Sequence, residues 1–188
     1  SYWYSLVSIA PVDSESTLPT LRRNSKQGDI AIVSIMDDLG VETHFESDRV
    51  LIKKKSIFQK ELSLGFKDCP DLAQTVMVSA AVNGITLNMT GLESLKIKET
   101  DRIAAMQNEL AKIGAELKEE NDSWKLIPSN KLPEEVTIET YEDHRMAMAF
   151  APLSTLIEVN INDPLVVEKS YPGFWKEIEK LGIEIQTY

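Results

Sequence analysis

The sequence predicts an α/β layered fold built from repeated helix–strand–helix–strand units, with helices packed on sheets. Three observations carry this. Three segments end alike, in Leu39-Gly40-Val41-Glu42, Ile113-Gly114-Ala115-Glu116 and Leu181-Gly182-Ile183-Glu184. The same apolar stripe runs ahead of each glycine: Leu39, Ile113 and Leu181 one residue before it, Met36, Leu110 and Ile178 four before, Ile32, Met106 and Phe174 eight before. Such spacing marks one face of an amphipathic helix, and the glycine takes the left-handed conformation that stops it. The glycines stand 74 and 68 residues apart, so one unit holds about seventy residues.

In chain order, the first unit reads as a helix over 2–10, a strand over 17–21, a helix ending at Leu39, a strand over 42–45 and a closing strand over 49–54. The second reads as a helix over 72–82 capped by Asp71, a strand over 85–89, a helix through Ile113 capped by Thr100 or Asp101, and strands over 116–118 and 123–127. The third reads as a helix over 144–156 capped by Asp143, a strand over 157–161, a last helix with Pro172 in its first turn, and a strand over 184–187. Strands alternating with helices place the apolar helix faces against a sheet.

Composition narrows the function classes. The 188 residues are 43% hydrophobic and 27% charged, with eight Gly and eight Pro, as in a soluble globular chain with a real core. No apolar run approaches the length of a membrane span. The single cysteine, Cys69, excludes an internal disulfide. A net charge of −10 argues against a nucleic-acid surface and, at first sight, against anionic ligands. However, the acids concentrate between Ile103 and Asp143, where four Lys face ten Asp and Glu. That stretch reads as solvated surface. The chain has no initiator Met and is apolar from its second residue, so it is expected to be a piece of something larger.

The unusual charges fall at helix starts. Lys98 and Arg102 flank one, His144 and Arg145 open another, and Lys169 precedes a third. Cations there oppose the helix dipole, which points to a compensating anion, although plain capping with exposed basic groups is the alternative. Asp71 alone needs no explanation beyond a cap. The repeat changes this, because equivalent helix starts lie on the same side of equivalent units. Asp71, Lys98, Glu99, Arg102, His144, Arg145 and Lys169 are therefore expected to converge, offering two carboxylates for proton transfer and four cations for an acidic, phosphorylated ligand. There is no Walker-type or Gly-x-Gly-x-x-Gly loop. The two histidines, His44 and His144, lack paired cysteines, so no metal site is expected.

Lys98-Glu99-Thr100-Asp101-Arg102 together with Asp143-His144-Arg145-Met146-Ala147-Met148 resembles the 5-enolpyruvylshikimate-3-phosphate synthase family. Arg23-Asn24-Ser25-Lys26-Gln27-Gly28-Asp29, Pro70-Asp71-Leu72-Ala73 and Lys169-Ser170-Tyr171-Pro172-Gly173-Phe174 agree with it, and the resemblance runs in order from Ser1 to about Phe174. It implies two lobes of three similar units, with the active site in the cleft between them. Residues 1–45 would be the tail of a truncated first lobe and 46–188 the second lobe, which also borrows a short piece from the absent N-terminal half.

The implied activity is a cytoplasmic step of aromatic amino acid biosynthesis. The enolpyruvyl group of phosphoenolpyruvate moves to the 5-hydroxyl of shikimate 3-phosphate by addition and elimination, releasing phosphate without metal or organic cofactor. By the same resemblance Asp71 is the proton acceptor at the 5-hydroxyl and holds the ring. Glu99 gives and removes the methylene proton, while Tyr2 and Lys98 contact shikimate 3-phosphate. Arg102, His144, Arg145 and Lys169 hold phosphoenolpyruvate. Ser94 departs from an Asn at a shikimate contact. The alternatives are a UDP-N-acetylglucosamine enolpyruvyl transferase-like enzyme, which generally lacks the two long motifs, and a non-catalytic binding module that keeps the fold. The implied partner is the missing N-terminal half, without which the chain is expected to be inactive.

Overall fold

The computed structural model describes residues 1–18, 28–47, 49–98, 100–121 and 123–186. The first unit holds α1 (Tyr2–Ile9), β1 (Glu15–Leu18), α2 (Ile32–Asp38), β2 (Val41–Phe45) and β3 (Val50–Lys54). The second holds β4 (Glu61–Gly65), α3 (Ala73–Val82), β5 (Thr86–Thr90), α4 (Arg102–Lys112), β6 (Glu116–Glu120) and β7 (Ser123–Ile127). The third holds β8 (Glu135–Ile138), α5 (His144–Phe150), β9 (Glu158–Ile161) and α6 (Phe174–Glu179).

Each unit has its own sheet, ordered β1-β3-β2, β4-β5-β7-β6 and β8-β9. The β4–β5 and β8–β9 pairs are parallel, because a helix crosses over between their strands. The other pairs are antiparallel; β2–β3 and β6–β7 are hairpins. Superposed by order, β1-β3-β2 matches β5-β7-β6 and β8-β9 matches β4-β5, so the second unit displays the whole plan.

The repeat inferred from the helix ends is real. Gly40, Gly114 and Gly182 have φ of 81°, 81° and 83°, each just past a helix. The stripe residues before them are buried, except Leu181, which is 52% exposed because α6 stops at Glu179. The core is built around α3, buried at nine of its ten residues and flanked by α1 and α5. A helix surrounded in this way has no polar stripe, and its few hydroxyls bond inward: Ser79 Oγ donates to Thr75 O at 2.9 Å and lies 2.9 Å from Ser5 Oγ. The buried Lys54 ammonium donates to Ser8 O of α1 and, at 3.2 Å, to Asn83 Oδ1 beyond α3. Burial lowers its pKa to about 8.

Residue 45, the expected lobe boundary, lies between β2 and β3, which pair along their whole length. Residues 1–45 share one core with the rest: Tyr4, Val7 and Met36 belong to the same cluster as Leu62, Leu87 and Phe150. Several expectations of individual elements need correction. The helix expected over 144–156 ends at Phe150 and tightens into a 3₁₀ turn, Ala151–Thr155, because Pro152 has no N–H to donate to the preceding turn. Pro172 lies ahead of α6, whose N-cap is Gly173. Residues 184–186 form no strand, since the third sheet supplies no neighbour for them among the described residues; Thr187 lies outside these. Strands β4 and β8 were not anticipated. The later part of the strand expected over 17–21, and residues 23–27 of the flanking motif, lie outside the described residues.

One glycine fixes how the loops after β4 and β5 cross. Gly91 has φ of 75°, and a Cβ there would stand 2.4 Å from Lys67 N and 2.8 Å from Lys67 Cα. Both obstacles are backbone, so Gly91→Ala is expected to destabilise the chain by about 2–3 kcal/mol. Urea denaturation measures this, and an unchanged midpoint would contradict the close approach.

Candidate functional site

The parallel pairs determine where chemistry can gather. The loops leaving the C-terminal ends of β4, β5, β8 and β9 all run to one side and carry Asp71, Lys98 with Arg102, Asp143 with Arg145, and Lys169 respectively. The described members of the expected set gather there. Asp71 lies in a 3₁₀ turn, Pro70–Leu72, and caps no helix through its side chain. Its carboxylate instead receives Arg102 Nη1 at 2.9 Å on one oxygen and Arg145 Nη2 at 3.0 Å on the other, with Lys98 Nζ 3.7 Å away. Arg145 Nη1 also donates to the Asp71 carbonyl at 3.1 Å.

The second anchor is Asp143, which the sequence marked only as a cap. It does cap α5, accepting from Arg145 N at 2.8 Å. Its other oxygen accepts from Arg102 Nε at 2.5 Å, and both side chains are essentially removed from solvent, at 2% and 0% exposed. Arg102 is thus a buried cation gripped by two carboxylates, Asp71 and Asp143. His144 lies beside it, Nδ1 3.8 Å from Asp143 Oδ1 and 17% exposed. Lys169 ends a 3₁₀ turn, Pro164–Lys169, and donates to the Glu142 carbonyl at 3.3 Å. Asp101 is the cap of α4, accepting from Ile103 N at 3.1 Å and Ala104 N at 3.0 Å.

Part of the compensation that these cations demand therefore comes from the protein itself. Among the described residues Lys98, Arg102 and Arg145 share the carboxylates of Asp71 and Asp143, and Lys169 stands at the Glu142 carbonyl, in a chain of net charge −10. The lysines and Arg145 keep solvent access, with Lys98 34% and Arg145 22% exposed, so an anion can reach them. Arginine forks suit phosphate and carboxylate oxygens.

Two further residues belong to the expected set. Glu99 lies outside the described residues. Tyr2 packs edge-on against Phe174, ring centroids 6.1 Å apart, in a second apolar cluster with Leu6, Met148 and Val167. Ser94 lies in the 3₁₀ turn Glu93–Ile97, just before Lys98. Among the described residues no group of three or more His, Cys, Asp or Glu is placed to hold a metal. No described helix is long and apolar enough to cross a membrane.

Helices packed on three sheets, with cations of the second and third units gathered at loop ends, match the enolpyruvyl transferase fold. The chain superposes on an EPSP synthase from Acinetobacter baumannii with a TM-score of 0.79 at 21% identity, covering 98% of this chain and 45% of that one. It also superposes on the enolpyruvyl transferase NikO from Streptomyces tendae with a TM-score of 0.67 at 13% identity, covering 98% and 42%. The family model for EPSP synthase (3-phosphoshikimate 1-carboxyvinyltransferase) matches residues 1–178, and the chain belongs to that family. A 3-phosphoshikimate 1-carboxyvinyltransferase of Bacteroides fragilis is 41% identical across 100% of this chain and 46% of its own length. One from Methanospirillum hungatei is 35% identical across 96% and 42%. The chain therefore spans about half the length of the curated relatives it matches.

Proposed function

We propose that the chain is the C-terminal part of a cytoplasmic enzyme that transfers the enolpyruvyl group of phosphoenolpyruvate to the 5-hydroxyl of shikimate 3-phosphate, releasing phosphate. The observation that carries this is Asp71, held between Arg102 and Arg145 with Lys98 alongside, in a chain of this family. Family membership favours this acceptor over a UDP-sugar. The intact cation set favours catalysis over a binding module that merely keeps the fold.

The chemistry needs a base at the acceptor hydroxyl, an acid at the methylene carbon and cations for the phosphate and carboxylate. Asp71 is the base, and its two arginines orient it. Glu99, one residue beyond Lys98, delivers the proton in addition and withdraws one in elimination. Arg102, Arg145, Lys169 and His144 hold phosphoenolpyruvate, and Lys98 holds shikimate 3-phosphate. Separate carboxylates allow separate environments for base and acid. Tyr2, half-buried and edge-on to Phe174, joins Lys98 at shikimate 3-phosphate.

The partner is the N-terminal half of the same enzyme. The third sheet supports this: β9 pairs with β8 alone among the described residues, whereas its counterpart β5 has neighbours on both sides. A piece borrowed from the other half would fill that edge. The test mixes the purified chain with the remaining half and follows phosphate release. Release is expected only with both halves and both substrates. The chain turning over alone would overturn the two-part reading, and a folded Glu99→Ala variant with wild-type turnover would remove Glu99 from its role.

A further inference from the structure

Helix α4 carries two buried charges seven residues apart, Arg102 and Glu109, hence two turns apart on one face. Arg102 serves the site. Glu109 is fully buried, and the mechanism gives it no task. Its partners identify what it does. Oε1 accepts from Tyr141 Oη at 2.8 Å, and Oε2 accepts from Glu139 N at 3.1 Å and from Lys112 Nζ at 2.7 Å. Lys112 goes on to the Thr137 carbonyl at 2.9 Å, and Asn108 Nδ2 donates to Tyr141 Oη at 3.3 Å. Every one of these bonds ends within α4 or on the run from Thr137 to Tyr141.

That run leads into a strained turn. Tyr141 and Glu142 have φ of 53° and 58°, two consecutive left-handed residues, neither of them glycine. L side chains resist this conformation, and it persists only where surrounding bonds over-determine it. The turn is closed by Asp143 N donating to Thr140 O at 2.9 Å. From it issue Asp143, which takes Arg102 and caps Arg145, and the Glu142 carbonyl, which takes Lys169. Helix α4 thus grips the turn at both ends, through Glu109 before it and Arg102 after it. Burial, and then the bond to Glu109, raise the Tyr141 pKa above its ordinary value, so the phenol stays a donor.

We propose that Glu109 is a positioning residue: by holding Glu139 N and Tyr141 Oη it keeps the Tyr141–Glu142 turn left-handed, and so aims Arg145 and Lys169 at the anionic substrate. The inference rests on the reading of those two cations as the phosphoenolpyruvate cradle. A buried carboxylate suits the task because it accepts several bonds at once, whereas an apolar residue would strand a phenol and an amide.

The test uses the complete enzyme that contains this chain, with Glu109→Gln, Tyr141→Phe and the double variant Glu109→Gln/Glu142→Gly. Glu109→Gln is expected to raise KM for phosphoenolpyruvate about tenfold, within the range typical of outer supports, while KM for shikimate 3-phosphate stays within about threefold. Amide exchange over residues 139–146 accelerates in the same variant, while exchange in α3 does not. Glu142→Gly restores both, since glycine meets no resistance at positive φ. Tyr141→Phe, which removes one hydroxyl, shows the same pattern more weakly and serves if Glu109→Gln fails to fold. Unchanged exchange over 139–146, an equal rise in both KM values, or no rescue by Glu142→Gly overturns the proposal. A wild-type enzyme that turns over neither substrate overturns the functional reading instead, and the exchange measurements then decide the clamp on their own.

Discussion

Replacing Asp143 with alanine is expected to lower the stability of the chain by about 3–5 kcal/mol, because it leaves a buried guanidinium short of its nearest counter-charge. Arg102 is 1% exposed, and Asp143 supplies its 2.5 Å contact. The remaining partner, Asp71, is one-third exposed and shared with Arg145 and Lys98. The substitution also takes the cap from α5, which adds to the loss. For a chain of this size the melting midpoint falls by on the order of 10 °C. Asp143→Asn keeps an acceptor for Arg145 N and loses less. Thermal or urea denaturation decides it. An alanine variant melting within about 2 °C of wild type would mean that Arg102 does not depend on Asp143.

Asp71→Ala separates chemistry from binding in the assembled enzyme. Loss of the base lowers kcat by about 10²–10⁴-fold, the usual contribution of a positioned proton acceptor. Affinity for phosphoenolpyruvate moves the other way or holds, because Asp71 at present occupies Arg102 Nη1 and Arg145 Nη2 and competes with an incoming anion for them. Phosphate-release kinetics and equilibrium binding measure the two effects separately. A kcat within about threefold of wild type would exclude Asp71 as the base, and weakened binding with unchanged kcat would make it a scaffold alone.

The helix ends were the most legible part of the fold. A glycine stop after an apolar stripe is a local signal, and Gly40, Gly114 and Gly182 all adopt the left-handed conformation it requires. Strands β4 and β8 were illegible because Glu61-Leu62-Ser63-Leu64-Gly65 and Glu135-Val136-Thr137-Ile138 carry only two apolar residues each. Their identity comes from pairing with β5 and β9, which is long-range information. The neighbourhood of α1 and α3 is long-range in the same way, since only the packed core reveals it. In the site, charge at helix starts located Lys98, Arg102, Arg145 and Lys169. Asp143 was seen as a cap and missed as an anchor, because burial cannot be read from one residue. Tyr141 and Glu142 were missed altogether, as positive φ without glycine leaves no mark in composition.

The ion cluster joins three crossovers that are remote along the chain. Asp71 and Arg102 are 31 residues apart, Arg102 and Asp143 41, and Asp71 and Arg145 74. No excised unit contains all the partners, and the closure entropy of these loops is repaid only once α3 has its neighbours on both sides. The ion cluster therefore has no partial form. It is expected to form and break in the same cooperative transition as the core, so the solvent protection of Arg102 tracks the folded fraction.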